Sequence, residues 1–335
     1  GEIGATGTEG TWIATAFLVA EIIIIPLSAW LERLLGLRTL LIVAVSAFTA
    51  FSVLCGIATD LTTMIIGRTG QGFMGGALIP TAMTIVAKRL PPSQQPIGMA
   101  LFGMTVVLGP VMGPLVGGWL TENLSWHYAF FVNVPVCATL LLLLFIGLPH
   151  EKPKWEYLTD ADWAGILGLI LGLGGLTVVL EEGHHEEWFE SSLIRWLTVV
   201  TIIGFACLIY GQVKASKPVL KLRLLLNRQI ASVAIMALAL GMVMYGSTYV
   251  IPQFLAIISD FNAFQTGLVI FWMGVPAFLL MPVLPLMIRK VDIRIAVGTG
   301  MLLMAISCFV STSLTAESGG AVFTESQLIR GAGMI

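Results

Sequence analysis

The chain has 335 residues, of which 57% are hydrophobic and 11% charged, with a formal net charge of −2. An ordinary soluble domain carries about 25% charged residues, so a soluble fold this apolar would have no surface to offer water. The composition also lacks the basic, aromatic-rich surface that nucleic acid requires, and no phosphate-binding loop or paired catalytic motif marks an ATP-driven machine or an enzyme.

The apolar residues fall in long blocks, and a block of roughly 18 or more reads as a membrane-spanning helix. In chain order the spans are predicted at 11–31, 39–58, 63–87, 97–120, 128–148, 163–180, 194–213, 230–254, 267–288 and 295–313, with a partial eleventh starting near 327. The loops alternate in basic charge. Arg33 and Arg38, Lys88 and Arg89, Lys152 and Lys154, the run from Lys214 to Arg228, and Arg289, Lys290 and Arg294 share one side, together 14 of the 17 basic residues. The positive-inside rule makes that side cytoplasmic, and a bacterial inner membrane is the expected home. Cys55, Cys137, Cys207 and Cys308 sit singly in apolar blocks without a CxxC, which suits packing rather than disulfides or metal. The chain opens on Gly1 without a secretory signal pattern and ends inside a new apolar segment, so it reads as a fragment.

An internal repeat organises the spans. Pro26-Leu-Ser-Ala-Trp-Leu-Glu-Arg33-Leu-Leu-Gly-Leu-Arg38 joins the first two, and Pro282-Val-Leu-Pro-Leu-Met-Ile-Arg289-Lys-Val-Asp-Ile-Arg294 joins the ninth and tenth. The prolines and both arginines match at one constant offset, and Arg68 has a looser counterpart in Arg330. Parallel repeats of this kind rock about a central site in transporters. The expected architecture is an all-α integral membrane fold with two pseudo-symmetric six-helix halves and two extra helices between them. The segments are 1–150 for the N-terminal half, 151–229 for the two inserted helices and a basic loop, and 230–335 for part of the C-terminal half. One helix is expected before Gly1.

Four groups of residues carry candidate chemistry. Gly109-Pro110-Val-Met-Gly113-Pro114-Leu-Val-Gly117-Gly118 places small residues at spacing four, a strip that another helix can approach closely in lipid. Its two prolines remove backbone donors and bend the helix, which suits a sliding surface. Arg68-Thr-Gly-Gln71-Gly72 sets an arginine inside a span, where it persists only with a partner, a wet cavity or by snorkelling. Glu21 is the acid deep within a span; buried carboxyls of this kind serve in proton relays or as structural hydrogen-bond partners. The loop of Arg33, Gly36 and Arg38, with its counterpart Arg289, Asp292 and Arg294, can latch the cytoplasmic helix ends or supply positive-inside charge alone. Asp162 caps a helix start, and Glu181 through Trp188 reads as a solvated outer loop without metal-ligand spacing.

The chain resembles the drug:proton antiporter-2 branch of the major facilitator superfamily, whose familiar members are the EmrB/QacA-type exporters. The likeness covers essentially the whole chain. Gly109-x-x-x-Gly113-Pro114-x-x-Gly117-Gly118 is similar to the antiporter motif, and Arg68-x-x-Gln71-Gly72 to the motif whose arginine is associated with proton coupling. Trp126-His-Tyr-Ala-Phe130-Phe131-Val-Asn133-Val-Pro135, Asp162-x-x-Gly165, Gly183 with Trp188, and Pro252-Gln253 follow in the branch's order. Ala29 and Arg33 stand where the superfamily's loop carries Gly and Asp, while Gly36 and Arg38 keep the pattern. The resemblance implies a secondary active transporter rather than an enzyme. It would use the proton gradient in place of a cofactor, with hydrophobic or cationic drugs as cargo. It also implies a periplasmic adaptor and an outer-membrane channel in a Gram-negative source. An exporter of a specific fatty acid, siderophore or metabolite is the alternative, and a membrane sensor or membrane enzyme a remote one.

Overall fold

A computed structural model describes residues 7–215, 217–280, 291–313 and 320–334, and no strand occurs among the described residues. Helix α1 (Gly7–Leu35) runs through Pro26 and meets α2 (Leu37–Gly56) across a single residue, Gly36. Gly36 has a φ of +80°, a conformation that glycine adopts without a steric cost, so two long helices turn on one residue. Asp60 then starts α3 (Leu61–Gly75), its carboxylate accepting from the Thr63 amide at 2.8 Å. The chain breaks at Gly76 and Ala77 before α4 (Leu78–Arg89), so the third predicted span is two helices. Hydropathy is continuous across that break, which is why periodicity alone joins the pieces.

Helix α5 (Gln95–Asn123) continues through Pro110 and Pro114. Short α6 (Tyr128–Phe131) leads into α7 (Asn133–Gly147), and the single turn α8 (Glu156–Thr159) precedes α9 (Trp163–Glu182) and α10 (Ser192–Lys214). Helices α11 (Arg228–Ile257), α12 (Ala263–Leu280), α13 (Ile293–Val310) and α14 (Gly320–Gly333) complete the order among the described residues. The eleventh segment thus begins at Gly320 rather than near 327. Its middle carries Glu325, Ser326 and Gln327, which depress hydropathy, yet Ser326 and Gln327 are buried. Among the described residues, eight helices are long and apolar enough to cross a membrane. The protein is an all-α, multi-pass membrane protein.

The chain divides into two compact units. The first comprises Gly1–Thr84 and Phe130–Leu224. In it α3 packs on α1 and α2, α7 on α2, and the pair α9 and α10 on α1 through α9. Ile24, Leu27, Ala77, Ile166, Leu169 and Leu208 form its apolar centre. A Cβ at Gly204 would strike the backbone of Gly172, so these two helices approach as closely as small residues permit.

The second unit comprises Ile85–Ala129 and Leu225–Ile335. Here α12 packs on α5, and α14 packs on both α12 and α13. A Cβ at Gly118 would lie 2.7 Å from the Ala263 carbonyl, and one at Gly267 would lie 2.8 Å from the Pro114 carbonyl oxygen. Val111, Ile270 and Met273 fill one cluster; Ile251, Leu255, Val269 and Phe323 fill another.

Candidate functional site

In the first unit the polar residues of α3 gather against α1 and α2. Arg68 donates from Nη1 to Gln71 Oε1 at 3.1 Å and from Nε to the Ile13 carbonyl at 3.2 Å. Its guanidinium carbon sits 4.2 Å from the centre of the Phe17 ring, a cation–π contact. Gln71, only 1% exposed, donates in turn to Ser52 Oγ at 2.7 Å. Asn133 Nδ2 reaches the same Ser52 oxygen at 3.4 Å, and Cys55 Sγ lies 3.6 Å from Gln71 Oε1. The arginine is thus solvated by protein dipoles and an aromatic face rather than by a carboxylate. Gly72 makes this possible, because a Cβ there would collide with the Phe17 carbonyl.

Glu21 is half-buried on α1. Its backbone lies against Gly76, two turns beyond Arg68 along α3, where a Cβ would come 2.9 Å from the Glu21 carbonyl oxygen. The two side chains feel each other's charge but form no ion pair. Both groups named for proton coupling therefore lie on one helix interface at different depths.

The glycine strip on α5 divides into two faces. Within its own unit, a Cβ at Gly109, Gly113 or Gly117 would meet open space, whereas Gly118 abuts Ala263 and Phe264. Val111, Pro114, Leu115 and Gly118 make the packed face against α12, and three of the four motif glycines make a bare one.

At the basic ends of the helices, Gly36 is tucked against Glu151, whose Oε2 accepts from the Leu37 amide at 3.2 Å. Arg38 donates from Nη2 to the Phe145 carbonyl at 3.0 Å and stands over the Phe145 ring. The loop between α1 and α2 is therefore tied to the end of α7. Arg33 is exposed and lines a small cavity with Trp30, Tyr157, Asp160 and Lys217. Lys217 Nζ and Asp160 Oδ2 pair at 2.8 Å there, and that hydrogen bond raises the Lys217 ammonium above its usual range. In the second unit Asp292 caps α13, accepting from the Arg294 amide at 2.8 Å. Arg289 lies outside the described residues.

Two residues were missed by pattern reading. Glu182 is the last residue of α9 and only 2% exposed, not part of a solvated loop. It accepts from Thr15 at 2.6 Å and from Thr11 at 3.1 Å, both on α1. A run of four acids and two histidines gives no sign of which acid will turn inward. Gln327 is the second. In space α14 meets α12 as α3 meets α1: a Cβ at Gly331 would collide with the Met273 carbonyl, as one at Gly72 would with that of Phe17. Matching those glycines sets Gln327-Leu-Ile-Arg330-Gly331 beside Arg68-Thr-Gly-Gln71-Gly72, so the arginine and the glutamine exchange places between the units.

The Major Facilitator Superfamily model matches residues 1–335. The chain is 32% identical over 333 residues to the colistin resistance protein EmrB of Acinetobacter baumannii, covering 99% of this chain and 65% of that one. It is 31% identical over 320 residues to the multidrug export protein EmrB of Escherichia coli K12, covering 95% and 62%. With the fatty acid resistance protein FarB of Neisseria gonorrhoeae the identity is 30% over 318 residues, covering 95% and 62%. The chain thus spans a little over three fifths of the length of these relatives. Among solved structures, the peptide transporter POT in complex with sulfate matches with a TM-score of 0.63 at 18% identity, over 99% of this chain and 72% of that one. That likeness is one of fold.

Proposed function

Because the chain belongs to the major facilitator superfamily of membrane transporters, we propose that it is part of a proton-driven exporter of hydrophobic or amphipathic drugs, working by alternating access in a bacterial inner membrane. The observation that carries this reading is the network at α3. An arginine held inside a membrane helix by Gln71, a backbone carbonyl and an aromatic face is costly to keep. It sits on the interface that also holds Glu21, a carboxyl with no described hydrogen-bond partner to fix it. Movement of a proton on and off Glu21 would change the charge that Arg68 sees, and so the preferred packing of α1 on α3. The bare glycine face of α5 supplies a smooth surface for helices to slide on. The export and resistance names of the relatives support the cargo class. The name of the fatty-acid-resistance relative favours amphipathic acids as a second cargo. A periplasmic adaptor and an outer-membrane channel remain part of the proposal for a Gram-negative source.

The test uses everted vesicles carrying the full-length protein, an imposed proton gradient and a pH-sensitive dye. Drugs that collapse the gradient in wild type but not in Glu21→Gln establish antiport with Glu21 on the proton path. Equal responses establish antiport with a structural Glu21. No response to any compound defeats the reading.

A further inference from the structure

The second unit buries an arginine more deeply than the first. Arg330 is 2% exposed and lies ten residues into α14, about 15 Å from its start at the helical rise per residue. Its Nε donates to Ser307 Oγ on α13 at 3.2 Å, and the Cys308 side chain lies beside it. Ser307 already donates to the Met304 carbonyl at 2.8 Å. Among the described residues no carboxylate faces Arg330, and no aromatic ring or backbone carbonyl meets its guanidinium as the Phe17 ring and the Ile13 carbonyl meet that of Arg68. One turn earlier on the same face, Gln327 is 2% exposed and its Oε1 has no hydrogen-bond partner. A buried guanidinium with spare donors and a buried amide oxygen with a spare acceptor are both costly in an apolar interior.

We propose that Arg330 and Gln327 form a binding site for the carboxyl group of an amphipathic cargo molecule. A carboxylate oxygen accepts from the Arg330 Nη groups in a charge-assisted pair. When the head group carries its proton, the acid O–H donates to Gln327 Oε1. The exchange of arginine and glutamine between the units is what opens the site. In the first unit the arginine stands where α1 offers it a carbonyl and a ring, and in the second the glutamine takes that place and leaves the arginine facing α13. The site deepens the efflux reading, on which the passage of the cargo across the membrane rests, whereas binding of the head group does not depend on it.

The test measures equilibrium binding to the full-length protein in nanodiscs of zwitterionic lipid, by quenching of tryptophan fluorescence. The probes are dodecanoate and dodecanamide, which share a chain and differ in the head group. Wild type is expected to prefer dodecanoate by about tenfold or more, the scale of a hydrogen bond to a charged group. Arg330→Gln should erase the preference, and so should the exchange Gln327→Arg with Arg330→Gln, which restores the order of the first unit. Arg330→Lys keeps the charge but not the fork, and should retain a weakened preference. Equal affinities in wild type overturn the site, as does a preference that survives in Arg330→Gln or in the exchange. If Arg330→Gln does not yield folded protein, the wild-type ratio and Arg330→Lys decide, and an unaltered ratio in Arg330→Lys overturns the proposal. A dodecanoate preference without gradient-driven export upholds the site and defeats the efflux reading.

Discussion

Arg68 and Arg330 sit on corresponding helices of the two units, one turn apart in register, and are kept there by different means. Each lies three residues from a glutamine, on a helix that a glycine lets down onto its neighbour's backbone, and each network reaches a serine on the preceding helix of the repeat. Arg68 is surrounded by groups that solvate its charge: a helical carbonyl, the Gln71 amide and the Phe17 face. Arg330 is more buried and has a serine and a thiol. The same scaffold therefore yields one arginine with two hydrogen bonds and an aromatic face, and one with a single described hydrogen bond and a thiol beside it. In a membrane interior a charged group is costly and marks a functional site by default, which is the ground for the ligand site proposed at Arg330.

The scaffold itself is the easiest part of the comparison to break. Gly72→Val and Gly331→Val each place a side chain where the backbone of the adjacent helix already lies, at Phe17 and Met273. Backbone cannot swing aside as a flexible side chain can, so each change should cost about 3 kcal/mol or more and reduce the yield of monodisperse protein on size exclusion. Gly109→Ala meets open space within its unit and should leave the yield unchanged. A tolerated Gly331→Val beside an intolerant Gly72→Val would end the claim that the two units share one packing.

The next test separates the arginines. Arg68→Leu leaves buried Gln71 Oε1 with only the weak Cys55 thiol and removes the contact with Phe17, a loss of about 1–3 kcal/mol. Arg330→Leu removes a buried charge that no described carboxylate balances, and Ser307 keeps its bond to the Met304 carbonyl. Replacing a buried ionic group with an apolar side chain of similar volume is often neutral or stabilising. Melting in detergent should thus fall for Arg68→Leu and hold or rise for Arg330→Leu. Equal losses would mean that the two sites are bonded alike.

Much of this was legible in the sequence. The spans follow from hydropathy, and the recurrence of Pro26 and Arg38 at Pro282 and Arg294 is the ground for expecting two related halves. Arg68, Gln71 and Gly72 are found together because their spacing of one turn places them on one face. The break at Gly76 and Ala77 was not legible, since apolar residues continue on both sides of it. The exchange of arginine and glutamine was hidden because pattern matching pairs like with like and set Arg330 against Arg68. Only the close approach at Gly331 fixes the register that pairs it with Gln71. Burial of Glu182 was hidden for a related reason: its partner Thr15 lies 167 residues earlier, and local spacing carries no information about a helix so distant in the chain.

The smallest expected effect concerns how the first unit's arginine helix is started. Asp60 accepts from the Thr63 hydroxyl at 2.7 Å and from the Thr63 amide at 2.8 Å, and these bonds, the hydroxyl's first, hold its carboxyl below the usual range. A group whose folded-state value is lowered contributes stability above its unfolded value and loses it as pH falls through the folded one. The carboxylate form of Asp60 should therefore help hold α3 at neutral pH and cease to do so in acid. Asp60→Asn keeps an oxygen that can cap the helix but cannot titrate. Wild type should melt above Asp60→Asn at neutral pH by less than about 2 °C, and the gap should close as pH falls below the ordinary aspartate range. The group is fully exposed, so salt should narrow the gap as well. A gap that stays constant with pH would mean that the cap holds α3 by shape alone, and that the charge of Asp60 adds nothing to the unit.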